Sequence, residues 1–205
     1  MPLHLTIIRH GETAKLYPDQ IVGSHDIGLT PAALQLQPKV AQALAALKPQ
    51  LVLTSHLKRC TSLARAVADL SGARLVRSPQ LAERNWGTWT LKRRSELAGD
   101  PEFERWMSGA VDVKAAGSDE DYNATYARMV KTVEGALTPD LERVVWVSHA
   151  GIIKAFRVYA MQGELAKAMA MTVDFHGVAE FERDDKGKWC EISFNRRLDI
   201  KAMPI

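Results

Sequence analysis

Leu3-His4-Leu5-Thr6-Ile7-Ile8-Arg9-His10-Gly11 is a short apolar, partly β-branched run that stops at an arginine, a histidine and a glycine. Its length and composition predict a buried strand feeding a loop, with Arg9 and His10 at the carboxyl end. The pattern recurs far along the chain: Arg143-Val144-Val145-Trp146-Val147-Ser148 predicts another strand, and His149-Ala150-Gly151 follows it directly. Gln50 to Ser55 and Arg74 to Arg77 are two further strand candidates, separated by a helical pattern. Strands that alternate with helices imply a mostly parallel sheet covered on both sides, a three-layer α/β/α sandwich. Gly177 to Arg183 and Lys188 to Phe194 flank the turn Asp184-Asp185-Lys186-Gly187, so the chain closes on a hairpin that adds an antiparallel edge strand.

The helices are signalled by their ends as much as by their periodicity. Thr30 as N-cap and Pro31 in the first helical position open a helix with Leu36, Val40, Ala43, Leu44 and Leu47 at helical spacing, and Pro38 within it predicts a kink or a late start. Leu57 to Leu70 carries Leu63, Val67 and Leu70 along one side. Ser118 is the expected cap of the clearest helix, whose first turn would hold Asp119, Glu120 and Asp121 and whose apolar stripe runs from Tyr122 to Leu137. Ile152 to Met161 reads as the next helix. From Arg84 to about Gly117 the pattern is irregular, with Trp86, Trp89, Phe103 and Trp106 among many charges, which predicts short helices in a lid-like excursion over the sheet. No internal repeat or linker divides the chain, and a single domain over residues 1–205 is the expectation.

At 205 residues, 46% of them apolar and 25% charged, the composition is that of a soluble globular domain and excludes disorder as the main character. The formal net charge is +3, from 27 Lys+Arg against 24 Asp+Glu, and no block of like charges supplies a nucleic-acid footprint. Cys60 and Cys190 make neither a disulfide framework nor a zinc-ligand spacing. The apolar stretch from Ala150 to Met161 is broken by Lys154 and Arg157 and is too short to span a bilayer. The first residues lack the charged head and long apolar core of a signal peptide. A cytoplasmic protein with no nucleic-acid and no membrane partner is therefore expected, and a homodimer fits the sequence as well as a monomer does.

Ligands of open parallel sheets bind beyond the carboxyl ends of the strands. The first strand delivers Arg9 and His10 there, the second leads within a few residues to Arg59, the third to Leu81-Ala82-Glu83, and the fourth to His149. Guanidinium groups fork onto phosphate oxygens and stay charged at any relevant pH. A neutral imidazole nitrogen can attack phosphorus to give a phosphohistidine that water later cleaves, which divides one slow displacement into two. His10 is the candidate nucleophile. His149, if protonated, would join Arg9 and Arg59 on the equatorial oxygens, and Glu83 would protonate the departing oxygen and then deprotonate the attacking water.

With those residues in place, the chain resembles the histidine phosphatase superfamily in its phosphoglycerate-mutase-like branch. The likeness is carried by Ile8-Arg9-His10-Gly11-Glu12-Thr13, Gly23 to Asp26, Leu29-Thr30, Ser55-His56-Leu57-Lys58-Arg59-Cys60, Leu81 to Gly87, and Val147-Ser148-His149-Ala150-Gly151, in that order along nearly the whole chain. The resemblance implies a phosphoglycerate-mutase-like fold, His10 as phosphate acceptor, Arg9, Arg59 and His149 as the rest of the phosphate pocket, Glu83 as proton donor, and no metal or cofactor. Leu16 stands where the family often has an asparagine that touches the phosphate. His56 replaces a usual proline, Thr90-Leu91 replaces a Glu-Gly, and Gly117-Ser118-Asp119 matches the family's Gly-Glu-Ser only loosely.

The expected activity is metal-independent hydrolysis of a small phosphorylated metabolite. Phosphoglycerate mutase chemistry shares the pocket, but a mutase must shield its phosphohistidine from water, and the excursion between Glu83 and Ser118 is modest for that task. Among hydrolases, an α-ribazole-phosphate phosphatase and a sugar-phosphate phosphatase are both compatible, while a noncatalytic phosphate-binding module has only Leu16 in its favour. His4, His25, His56 and His176 read as structural or surface groups, although His25 and His176 could line the mouth of the site, Lys92-Arg93-Arg94 as a solvated face that could meet an anionic substrate tail, and the tryptophans as core. Ser148 lacks the Gly-x-Ser-x-Gly setting of a hydrolase serine.

Overall fold

The structure, a computed structural model, describes residues 1–198. Six strands form one sheet: β1 (Leu3–Arg9), β2 (Leu51–Thr54), β3 (Arg74–Arg77), β4 (Arg143–Ser148), β5 (Gly177–Arg183) and β6 (Trp189–Arg197), in the order β3-β2-β4-β1-β5-β6. β1, β2, β3 and β4 run parallel, whereas β5 pairs antiparallel with β1 and β6 antiparallel with β5. The expected sheet is thus observed, with both strands of the closing hairpin antiparallel to their neighbours.

Side chains alternate between the two faces of a strand, and here both faces are apolar. Leu5, Ile7, Leu53, Val144 and Trp146 point to one side, where they pack with α4 (Tyr122–Ala136) and α5 (Ala150–Ala160) through Met129, Val133 and Phe156. Ile8, Val52, Val145 and Val147 point to the other, against α1 (Pro31–Ala45) and α2 (Lys58–Ser71) through Val40, Leu44, Leu63 and Val67. The continuous apolar runs of β1 and β4 are what a strand buried on both faces requires.

Two expectations about helix starts are corrected. Asp121, not Ser118, caps α4: its side chain accepts from the Ala124 N–H at 2.8 Å. Ser118 instead donates to the Asn85 carbonyl, and the Glu120 carboxylate is drawn away to the Asn85 N–H and Arg128, so residues 118–120 dock the excursion and cannot start the helix. In α1, Thr30 is the cap, accepting from Ala33 N–H, and the helix starts at Pro31 and runs through Pro38 without delay. Pro38 lacks an N–H for the Leu34 carbonyl, and this loss falls next to an exposed residue.

Residues 79–117 leave the sheet as short helical turns at Pro79–Leu81, Gly87–Trp89 and Arg94–Leu97 and as α3 (Pro101–Met107). They build a core of their own from Ile21, Trp89, Leu97, Phe103, Trp106 and Val113, with Trp89 and Phe103 edge to face at 5.4 Å. Four of the five tryptophans are buried; Trp86 is partly exposed and faces a cavity instead.

Candidate active site

β1 and β4 are adjacent and parallel, with Arg9 paired to Ser148, so their carboxyl ends lie side by side. The His10 N–H continues the ladder by donating to the Ser148 carbonyl at 3.0 Å. This register places the imidazoles of His10 and His149 next to one another, with ring centroids 5.2 Å apart and an edge-on angle of 63°. β2 ends at Thr54, and Leu57 then caps α2, which brings Arg59 in its first turn to the same place. Glu83 arrives two residues after the short helix at Pro79–Leu81.

The hydrogen bonds assign the ring protons. His10 Nδ1 lies 2.7 Å from the Gly11 carbonyl, an acceptor only, so Nδ1 carries the proton and Nε2 keeps its lone pair. Arg59 Nε, a donor only, approaches His149 Nδ1 at 3.4 Å, so the His149 proton sits on Nε2 and is donated to Ser55 Oγ at 2.8 Å. Burial, reinforced by Arg59 and then Arg9, holds His10 well below the ordinary imidazole range; burial, Arg59 and His10 do the same to His149. Both rings are neutral at pH 7. The positive charge expected on His149 is therefore not carried by the ring in this structure.

The arginines are fixed by backbone carbonyls. Arg59 donates to the His25 and Gly23 carbonyls at 2.6 and 2.5 Å; Gly23 has φ +54 and would drive a Cβ to 2.3 Å from Trp86, so only glycine lets this loop approach. Arg9 donates to the Val173 carbonyl at 2.6 Å and lies over the Phe175 ring at 3.9 Å, while its buried Nε has no hydrogen-bond partner among the described residues. Glu83 accepts from the Gly151 N–H at 2.9 Å and the Arg84 N–H at 3.1 Å, which anchors its carboxylate on the first turn of α5.

Arg9, His10, Arg59 and Glu83 line one cavity of about 630 Å³, whose outer wall comes from the excursion through Trp86, Arg94 and Trp106. His149 is fully buried immediately behind His10 and Arg59. Leu16 is 82% exposed and turned away, with its N–H on Gln20, so it contributes nothing in place of the asparagine; its neighbour Lys15 faces the cavity instead. Ser55, Arg84 and Gly151 hold the set in position and were not singled out from sequence as site residues. Arg84 is buried, donates to the Val113 and Glu120 carbonyls and stacks on Trp86. His25 contributes only its carbonyl, while His4, His56 and His176 stay outside the cavity. Among the described residues no group of three His, Cys, Asp or Glu side chains is placed to hold a metal ion, and no helix is long and apolar enough to cross a membrane.

Comparison with known proteins finds a relative in sequence and solved structures of the same fold. The protein named probable phosphoglycerate mutase GpmB of Erwinia tasmaniensis is 30% identical over 151 residues, covering 72% of this chain and 69% of that protein. Mycobacterial glucosyl-3-phosphoglycerate phosphatase, solved also with inorganic phosphate, superposes with a TM-score of 0.85 at 19% identity over 95% of this chain and 99% of its own. Phosphoserine phosphatase of Entamoeba histolytica, in complex with 3-phosphoglyceric acid, gives 0.83 at 23% identity over 97% and 98%. The sequence profile of the histidine phosphatase superfamily, branch 1, matches residues 5–195, and the chain belongs to that family.

Proposed function

We propose that the chain is a metal-independent phosphomonoesterase that hydrolyses a small phosphorylated metabolite through a phosphohistidine at His10. The observation that carries this reading is the His10 tautomer: Nδ1–H is tied to the Gly11 carbonyl, and Nε2 is free as a lone pair in a cavity that also holds Arg9 and Arg59. A neutral nitrogen beside two fixed guanidinium groups suits attack on a phosphate dianion.

In the first half-reaction Nε2 bonds to phosphorus as the ester P–O bond breaks, and Glu83 gives its proton to the leaving oxygen. In the second, Glu83 takes a proton from water, the oxygen of which bonds to phosphorus as the P–N bond breaks. His149 would act on the phosphate through Arg59: its Nδ1 accepts from Arg59 Nε at 3.4 Å and its Nε2–H is anchored on Ser55 Oγ, which holds the guanidinium toward the cavity.

Phosphate release from aryl, sugar and α-ribazole phosphates in excess chelator tests the reading. Turnover that persists with chelator and is lost in His10→Ala supports it; turnover undiminished in His10→Ala would overturn it. The mutase reading is favoured by the name of the 30% identical relative. A coupled assay of the two phosphoglycerates with a bisphosphate primer, run beside phosphate release, separates the two activities.

A further inference from the structure

The two arginines of the cavity are held by different means. Arg59 has a partner for each guanidinium nitrogen: His149 for Nε, and the His25 and Gly23 carbonyls for Nη1 and Nη2. Arg9 has one hydrogen bond among the described residues, from Nη1 to the Val173 carbonyl, and its guanidinium carbon lies 3.9 Å from the centre of the Phe175 ring. Burial works most strongly against the Arg9 charge, and Glu83 and Asp174 offset it only in part. An aromatic face opposed to a desolvated guanidinium favours the charge and fixes the plane of the group without taking any of its N–H donors.

Phe175 is half-buried, yet it belongs to none of the three apolar cores, on either face of the sheet or in the excursion. Its ring lines the cavity and also meets the His10 imidazole, with centroids 5.9 Å apart at 47°. The turn that carries it is built from outside the cavity. Val178 pairs with Arg196 and Glu180 with Ser193, so β6 holds one extra residue against β5. Asn195, within that bulge, has φ +55, and its Oδ1 accepts from the Asp174 N–H at 2.7 Å. The Asp174 carbonyl accepts from the Gly177 N–H at 2.9 Å, and His176, with φ +56, donates its N–H to the Arg9 carbonyl at 3.2 Å. Val173 roots the start of the turn in the sheet core. Two non-glycine residues in the left-handed region cost stability, and such outliers and bulges gather where a side chain is being aimed at a functional site.

We propose that Phe175 is a positioning residue whose ring holds Arg9 in the orientation that meets a phosphoryl group, so that affinity for that group depends on the ring through Arg9. The inference rests on the cavity being the phosphate site of the reaction proposed above. The bulge at Asn195 and the turn 174–177 are then the supports that keep the ring over the guanidinium.

Binding of vanadate, measured by calorimetry, reads the site without turnover. Phe175→Leu keeps an apolar side chain but removes the aromatic face, and should weaken vanadate by about tenfold. Phe175→Tyr restores the face and should recover the affinity to within about twofold. In Arg9→Lys, which keeps a charge but has no planar group to stack, Phe175→Leu should cost less than about threefold. Asn195→Gly, outside the cavity, should weaken vanadate in the same sense, and it decides the matter if Phe175→Leu does not fold. Unchanged affinity in Phe175→Leu, or in Asn195→Gly where that variant decides, would overturn the proposal. So would equal losses in Phe175→Leu and Phe175→Tyr, the full loss persisting in Arg9→Lys, or no vanadate binding by the intact protein. The expected pattern without phosphate release from any phosphomonoester would count against hydrolysis while leaving the role of Phe175 supported.

Discussion

Gly151→Ala separates catalysis from folding more sharply than removal of any titrating side chain. Gly151 lies in the first turn of α5, donates its N–H to Glu83 Oε2 at 2.9 Å, and accepts from the Tyr122 hydroxyl at 2.7 Å. A methyl group there would lie 2.4 Å from Glu83 Oε1, 3.1 Å from Cδ and 3.3 Å from Oε2. The backbone is held on both sides, so the flexible carboxylate must yield, by roughly 1 Å to reach ordinary contact. Misplacement of a reacting group on this scale costs on the order of 100-fold in rate, or about 2.7 kcal/mol of barrier. The fold should not suffer, because alanine is favoured over glycine in a helix by up to about 1 kcal/mol. The assay compares kcat for an alkyl phosphate, whose leaving oxygen needs a proton, with kcat for nitrophenyl phosphate, whose leaving group does not. The alkyl rate should fall about 100-fold and the nitrophenyl rate much less, with Tm equal to or above that of the unsubstituted protein. Alkyl phosphate turnover within about twofold of the starting value would refute a role for Glu83 held in place by Gly151.

Other outcomes follow from the same geometry. Ser55→Ala leaves the fully buried His149 Nε2–H without its acceptor at 2.8 Å, and should lower the unfolding free energy in urea by about 1–3 kcal/mol; a change below about 0.5 kcal/mol would contradict the assigned tautomer. His10 and His149 have native pKa values depressed below the ordinary 6.5, so the unfolded chain binds their protons first as pH falls. Their contribution is fully present above about pH 6.5 and is lost below it, at up to about 2.7 kcal/mol per pH unit for the pair. Denaturation measured from pH 7.5 downward should show that slope reduced by about half in His10→Asn. Leu91 has φ +66 and is half exposed where the family often has glycine. Leu91→Gly should raise stability by about 1 kcal/mol, as a higher Tm, and a lower Tm would count against strain at that position.

The strand ends were legible in sequence because each combines two independent signals. In β1 a doubly buried apolar run stops at Arg9-His10, and in β4 a similar run stops at His149; parallel pairing then brings them together without any further information. Glu83 and Arg59 follow from the same rule, since both come shortly after a strand. The α4 start is not legible locally because Ser118, Asp119 and Asp121 are all competent caps, and the choice depends on Asn85 and Arg128, distant contacts that no local pattern contains. Ser55 opens the block Ser55 to Cys60, yet its partner His149 lies 94 residues away. Lys154 shows the limit most clearly: in sequence it is an interruption in an apolar helix, and only the placement of α5 against Glu83 gives it a cavity to face.

The phosphorylated nitrogen itself is the most direct test of the central claim. Rapid mixing with a phosphomonoester, quenching in alkali and peptide mass spectrometry should reveal a phosphoryl group on His10, attached through Nε2 because Nδ1 is committed to the Gly11 carbonyl. The adduct should be stable in alkali, labile in acid and absent from His10→Ala, which should also be inactive. Turnover with no phosphoryl group on His10 under any quench, together with an active His10→Ala, would contradict it.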